Sequence, residues 1–457
     1  MIAKRYLRLY VILCIGLLCI PFITGANVSS GSETTNSNQS LEQPWVMTKG
    51  MAGSPNDVDS WVHDDITTSV PSELPAIDLV SGAEPSVAAK HGEAVHTAVE
   101  ELLDIARYTK SIHVLAMLMV GFGFLMVFVK RYGWGSVTAT YIAVSFVLPY
   151  YMFLKTQGFC GEPAELKVDR FILAEFCAAS MLIAMGAFLG RLKLSQYIVA
   201  AVIFVPAYVL NEWIMLENGM GLIPKGALID TGGSIVIHQF GAYFGLGVIV
   251  RMTTSEDFKK SIESDKISNQ FSMLGSMVLW IFWPSFCSAP APLELMTTAA
   301  VNTVLSLCGA TLSTWIATTI IRKKVVIEDM ANAALAGGVA IGSACAYTTP
   351  MASVLLGFVA GIISVIGFAF IQPRVQKVLK GIDTCGVHNL HGMPGILGGL
   401  AAIFIAKGAV PGLQIKAVFV TFVLAWITGL AAGTVISLFG HRKDSYNDAE
   451  EFVLEEH

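Results

Sequence analysis

Apolar residues run along this chain in stretches of about 17–25 residues, long enough for a helix to cross a hydrocarbon layer roughly 30 Å thick. About twelve such stretches are predicted. They are Leu9–Ala26, Ser111–Val129, Ser136–Leu154, Val168–Gly190, Leu194–Leu216, Asp230–Val250, Gln270–Pro290, Leu295–Ile321, Asp329–Tyr347, Pro350–Ile371, Asp383–Ala406 and Leu413–Gly440. Short polar connections separate them. The fold class expected is therefore an all-α polytopic membrane protein.

Polar residues inside these stretches follow a repeated pattern. Asp230-Thr-Gly-Gly-Ser-Ile-Val-Ile-His238 and Asp383-Thr-Cys-Gly-Val-His-Asn-Leu-His391 both read D-T-x-G-x-x-x-x-H. An acid or imidazole deep in a spanning helix is costly and usually marks a pathway. If the first and last stretches are set aside, five spans from Ser111 to Val250 precede five from Gln270 to Ala406. An odd number of crossings inverts the second half relative to the first, the pattern of many transport proteins. Asp230 and Asp383 then start their spans at opposite faces, and eight residues at 1.5 Å each carry both histidines about 12 Å inward, to one depth.

An aspartate at a helix start caps backbone N–H groups, and that architectural role is expected of Asp230 and Asp383 before direct contact with a permeant. His238 and His391 are the candidates for such contact. His388 lies one turn before His391 but has no counterpart in the first half, so packing is its expected role. Glu175 and Glu212 fall toward the outer ends of their spans, where they should face an aqueous vestibule or another helix. Glu212, beside Asn211 and Trp213, suits attraction of a cation, with interfacial anchoring the alternative. Phe176 and Phe286 share a depth, one in each half; packing is the usual role of such residues, and the matched depth also suits a hydrophobic constriction that excludes water. G-x-x-x-G pairs at Gly186/Gly190, Gly241/Gly245, Gly338/Gly342, Gly357/Gly361, Gly395/Gly399 and Gly429/Gly433 permit close helix approach.

Composition supports this picture. The mean hydropathy is +0.64, and 54% of residues are hydrophobic against 14% charged, well below the roughly 25% charged of a soluble domain. With an inner N-terminus, loops on the cytoplasmic side collect 19 of the 29 Lys and Arg residues, as the positive-inside rule requires. Both termini are then cytoplasmic if residues 1–26 are retained as a first span. Basic residues, a short apolar run and Thr24-Gly25-Ala26 fit a cleavable signal peptide equally. Residues 27–110 read as an extracellular segment, with candidate N-glycosylation at Asn27 and Asn38. Residues 111–441 form the membrane domain, and 442–457 an acidic, solvated cytoplasmic tail. The eight cysteines fall mostly in spans and frame no disulfide scaffold; no metal motif, cofactor site or catalytic nucleophile constellation is present, and no nucleic-acid partner is expected.

Several segments together resemble the Rhesus (Rh) glycoprotein family, the animal-type branch of the ammonium transporter superfamily. They are Gly121-Phe-Gly-Phe-Leu-Met126, His238-Gln-Phe-Gly-Ala-Tyr-Phe-Gly-Leu246, Trp283-Pro-Ser-Phe-Cys-Ser-Ala289, Ala336-Gly-Gly-Val-Ala-Ile-Gly342 and Asp383-Thr-Cys-Gly-Val-His-Asn-Leu-His-Gly-Met-Pro-Gly395. The resemblance implies a homotrimer, embedded in lipid, in which each subunit has its own pore for ammonia or ammonium, often also methylammonium, with carbon dioxide proposed as a further permeant. By motif, the twin pore histidines would be His238 and His391, the phenylalanine gate Phe176 and Phe286, the vestibule acid Glu212 and the buried acid Asp230, with Asp383 its repeat partner. A multi-pass protein of the plasma membrane is expected. Glu175 stands where the family usually has aspartate, and Cys287 where asparagine is common. Rival readings are a coupled transporter of another small solute, and a non-transporting scaffold.

Overall fold

The architecture, taken from a computed structural model, is described for residues 87–453, with side chains from residue 97. The first predicted span, Asn27, Asn38 and most of the 27–110 segment lie outside the described residues. Every regular element among the described residues is helical. Helix α1 starts in Val87–Ala116 and continues to Phe128. It is followed by α2 Gly133–Thr156, α3 Val168–Phe188, α4 Leu194–Leu216, α5 Ser234–Met252, α6 Lys266–Ser288 and α7 Leu293–Arg322. Two short helices, α8 Ile327–Ala333 and α9 Ala336–Ile341, precede α10 Pro350–Leu379. The last two are α11, which opens as His388–Gly392 and continues as Met393–Ile405, and α12 Pro411–Ser437.

Among the described residues nine helices are long and apolar enough to cross a membrane: α1 to α7, α10 and α12. The stretch predicted as one span over Asp329–Tyr347 differs. It is broken near Ala334, where Leu335 N–H bonds Asn332 O and Gly338 N–H bonds Leu335 O in tight i→i+3 turns. Just beyond it α9 packs closely: a methyl on Gly337 would meet Ser306 O at 2.3 Å, and one on Gly338 would meet Trp283. The predicted Ser111–Val129 span lies in a helix that already runs from Val87.

Glycine spacing sets the closest helix contacts. A methyl on Gly357 or Gly361 of α10 would lie 1.9 Å from Ser306 O or 2.6 Å from Ala310 O of α7, and Gly241 and Gly245 of α5 face Ser180 and Ala184 of α3 in the same way. Gly429 and Gly433 bring α12 against Phe244 and Val248 of α5. Gly186/Gly190 is not such a pair, because α3 ends at Phe188 and Gly190 turns the chain with φ +77°.

The tail is docked, contrary to the solvated end expected. The Asp448 carboxylate accepts from Trp134 and Gly135 N–H at 2.9 and 2.7 Å, capping the start of α2. Arg442, buried, donates to Tyr132 Oη and Leu192 O and pairs with Glu450 at 3.1 Å. Arg191 Nη1 donates to Tyr446 Oη at 2.8 Å, and Lys260 pairs with Asp444 at 2.6 Å. Scattered polar residues of the tail thus meet orphan groups at helix ends, which no local sequence pattern foretells. These contacts gather the basic loops at one end of the helix bundle.

Candidate functional site

The two D-T-x-G motifs build the same local structure twice. Asp230 accepts from Ile235 and Val236 N–H, the latter at 2.9 Å, and Asp383 accepts from Val387 and His388 N–H at 3.0 Å each. The glycine closing each motif, Gly233 or Gly386, has φ of +73° or +68°, the left-handed region that a side chain disfavours. Each loop then enters a π-helical turn, Ser234–Gln239 carrying His238 and His388–Gly392 carrying His391. Such wide turns are uncommon and recur at functional sites.

Each motif is seated on an element from the other half of the chain. Gly232 N–H bonds Gly342 O at 2.7 Å, and Ser343 donates its N–H to Ser234 Oγ and its hydroxyl to Asp230. Reciprocally, Thr384 and Cys385 N–H bond Ala187 and Gly186 O at 3.0 and 3.1 Å, at the end of α3. Ser234 and Ser343 were not legible as site residues, since an isolated serine in a small-residue run carries no positional signal.

His238 and His391 meet with Nδ1 atoms 3.2 Å apart and rings 9° from parallel. Both are buried, at 2% and 4% exposure. One Nδ1 must donate and the other accept, so the two rings hold complementary states at these atoms. His238 Nε2 has no protein partner. Trp283 stacks beside His238 at 5.6 Å, and Phe122 beside His391 at 6.3 Å. Phe286 also lies 6.0 Å from His238, and its ring is 4.4 Å from that of Phe176. Trp283 and Phe122 lay within the segments carrying the family resemblance, without being singled out.

On the basic-loop side of the histidines lies a narrow, mostly apolar cavity, lined by Phe122, Leu182, Ile183, Val387, Leu390 and His391 among others. Its volume of about 20 Å³ admits one water-sized molecule. His388 is not among its lining residues; it meets Tyr243 edge-on at 5.8 Å, and its Nδ1 has no protein partner. Glu175 is fully buried, one oxygen taking the Ser111 hydroxyl at 2.8 Å and the other unpaired. Glu212 is not open to a vestibule. It is 2% exposed, takes the Tyr151 hydroxyl at 2.6 Å and lies 3.7 Å from Lys155 Nζ. Lys155 comes from α2, so a cation distant in sequence occupies the place an isolated acid would offer to solvent. Among the described residues no group of three or more His, Cys, Asp or Glu could hold a metal ion.

The chain matches the Ammonium Transporter Family over residues 88–457. It belongs to that family. Its relatives place it in the Rh branch. It is 41% identical over 311 residues to "Ammonium transporter Rh type B" of Sus scrofa, covering 66% of each chain. With the Takifugu rubripes protein of that name it shares 38% over 375 residues, 74% of this chain and 80% of the relative. A solved structure titled "Nitrosomonas europaea Rh50 and mechanism of conduction by Rhesus protein family of channels" matches with TM-score 0.76 and 51% identity, covering 78% of this chain and 94% of that one. A sensor Amt protein, 19% identical with TM-score 0.64, shares the fold. This Rh-branch member is a multi-pass membrane protein of a transporter family, not an enzyme.

Proposed function

We propose that the chain carries ammonium or ammonia across a membrane, through a path inside each subunit running from Phe176 and Phe286 past His238 and His391 to the small apolar cavity. The observation that carries this is the buried contact between the two Nδ1 atoms, 3.2 Å apart, at the head of that cavity. Ammonium recruited at the outer end gives up its proton near the phenylalanine pair, and ammonia passes the histidines. An ion in a narrow apolar lumen loses hydration that the neutral molecule does not need. The imidazoles offer ring nitrogens to its N–H groups and lone pair. Asp230 and Asp383 serve as the caps that hold the two histidine turns. Glu175, beside Phe176, stiffens the outer end through Ser111, and His388 packs against Tyr243.

The same reading takes methylammonium and carbon dioxide as further permeants. It places three such subunits in a homotrimer at the plasma membrane, with the basic-loop end cytoplasmic and Asn27 and Asn38 outside and glycosylated. The inverted relation of the halves is supported by the reciprocal seating of each histidine motif on the other half.

Stopped-flow ammonia permeability of liposomes with and without the purified protein tests the reading. The expected result is faster internal alkalinisation with protein present; equal rates would sink it. A saturable flux of another solute exceeding that of ammonia would favour the coupled-transporter alternative.

A further inference from the structure

Lys155 sits at the C-terminal end of α2 with its side chain 3% exposed, an uncommon place for a lysine unless it is paired. Its Nζ is 3.2 Å from Glu217 Oε1 and 3.7 Å from Glu212 Oε2. The second carboxylate is fixed by Tyr151, which donates its hydroxyl to Glu212 Oε2 at 2.6 Å. The lysine stem is anchored by its own backbone, whose carbonyl accepts from Gly158 and Ala164 N–H. Gly161 leaves room for Glu217, since an added methyl there would lie 3.0 Å from Glu217 Oε2. Two carboxylates thus share one ammonium at contact distance. Glu217 remains 32% exposed, so the cluster opens to solvent on its side.

The group held there is chemically an alkylammonium, R–NH3⁺. We propose that Glu212, Glu217 and Tyr151 form a binding cradle for an ammonium or alkylammonium ion, and that Lys155 is its tethered occupant, competing with the free cation. This inference rests on the proposed recruitment of ammonium at the same end of the molecule, and deepens it. A covalently attached occupant is present at a high effective concentration, so it lowers the cradle's apparent affinity for free ions and keeps the entrance from retaining them. Ammonium enters by displacing the Lys155 head group from the carboxylates; no bond is made or broken.

The cradle can be tested apart from transport. In detergent, Lys155→Ala should gain thermal stability from methylammonium chloride beyond that from equal sodium chloride, because a ligand that binds the folded state stabilises it by RT ln(1 + [L]/Kd). Wild type should respond less, and the double variant Lys155→Ala/Glu212→Gln should not respond. No specific response in Lys155→Ala, or an equal response in the double variant, would overturn the proposal. Lys155→Met keeps the stem and removes only the charge, which guards against loss of folding in the alanine variant. It should lower the half-saturating ammonium concentration for flux by about tenfold, equivalent to about 1.4 kcal/mol, while an unchanged or raised value counts against the tethered occupant. Absence of flux in wild type would refute the transport reading and leave the stability test intact.

Discussion

His238 and His391, 153 positions apart in the chain, stand with Nδ1 atoms 3.2 Å apart at the centre of the helix bundle. Replacing either one removes a hydrogen bond and leaves the other Nδ1 without its partner, a loss on the order of 1–3 kcal/mol for a buried polar group. With the proposed path, the double variant His238→Ala/His391→Ala is expected to fold and to lose most ammonia or methylammonium flux in proteoliposomes. Flux at the wild-type level would remove the histidines from the mechanism.

The proposed gate makes a separate prediction. Phe176 and Phe286 rings lie 4.4 Å apart by centroid, and replacing both by alanine opens the constriction that keeps the lumen dry. Osmotic water permeability of proteoliposomes should rise in Phe176→Ala/Phe286→Ala. No change would show that water is excluded elsewhere.

Ser343 reaches Asp230 from beyond the break that follows α8, while its backbone N–H holds Ser234. Ser343→Ala removes the hydroxyl bond and should cost about 1 kcal/mol. Asp230→Ala also frees the Ile235 and Val236 N–H groups and should cost distinctly more. Thermal unfolding in detergent checks the order; equal effects would mean that the carboxylate does not organise the turn.

Gly357 faces Ser306 O so closely that an added methyl would lie 1.9 Å from it. Gly357→Ala therefore forces α7 and α10 apart, with a cost of roughly 1–3 kcal/mol for overpacking. A melting temperature equal to wild type would contradict this contact.

The docked tail has a pH signature. The Lys260 ammonium and Asn447 hold the Asp444 carboxyl below its ordinary value of 3.8. A depressed carboxyl contributes stability above its unfolded pKa and loses it as pH falls through the folded one. The stability difference between wild type and Asp444→Asn should thus be present at neutral pH and fade below about pH 4. A difference that persists at pH 2 would show that the pair does not hold the tail.

Much of this protein was legible from residue order. Hydrophobic length predicted eight of the nine long apolar helices with modest shifts and missed the early start of α1, because a run of apolar residues has few alternatives to a helix in hydrocarbon. The repeated D-T-x-G-x-x-x-x-H motif marked both histidines, since costly residues placed twice at one spacing stand out against an apolar background. The break within the Asp329–Tyr347 stretch was hidden, because the same glycines and alanines suit a packed helix or a tight turn.

Other features arose only when distant segments met. Glu212 reads as an open acid until α2 delivers Lys155 to it, and the tail reads as solvated until Asp448 finds the start of α2. The order of residues determined which side chains must leave lipid and which backbone turns glycine permits. Tertiary packing decided which of those polar groups pair, because hydrogen bonds and ion pairs act over about 3–4 Å while the partners lie scores to hundreds of positions apart.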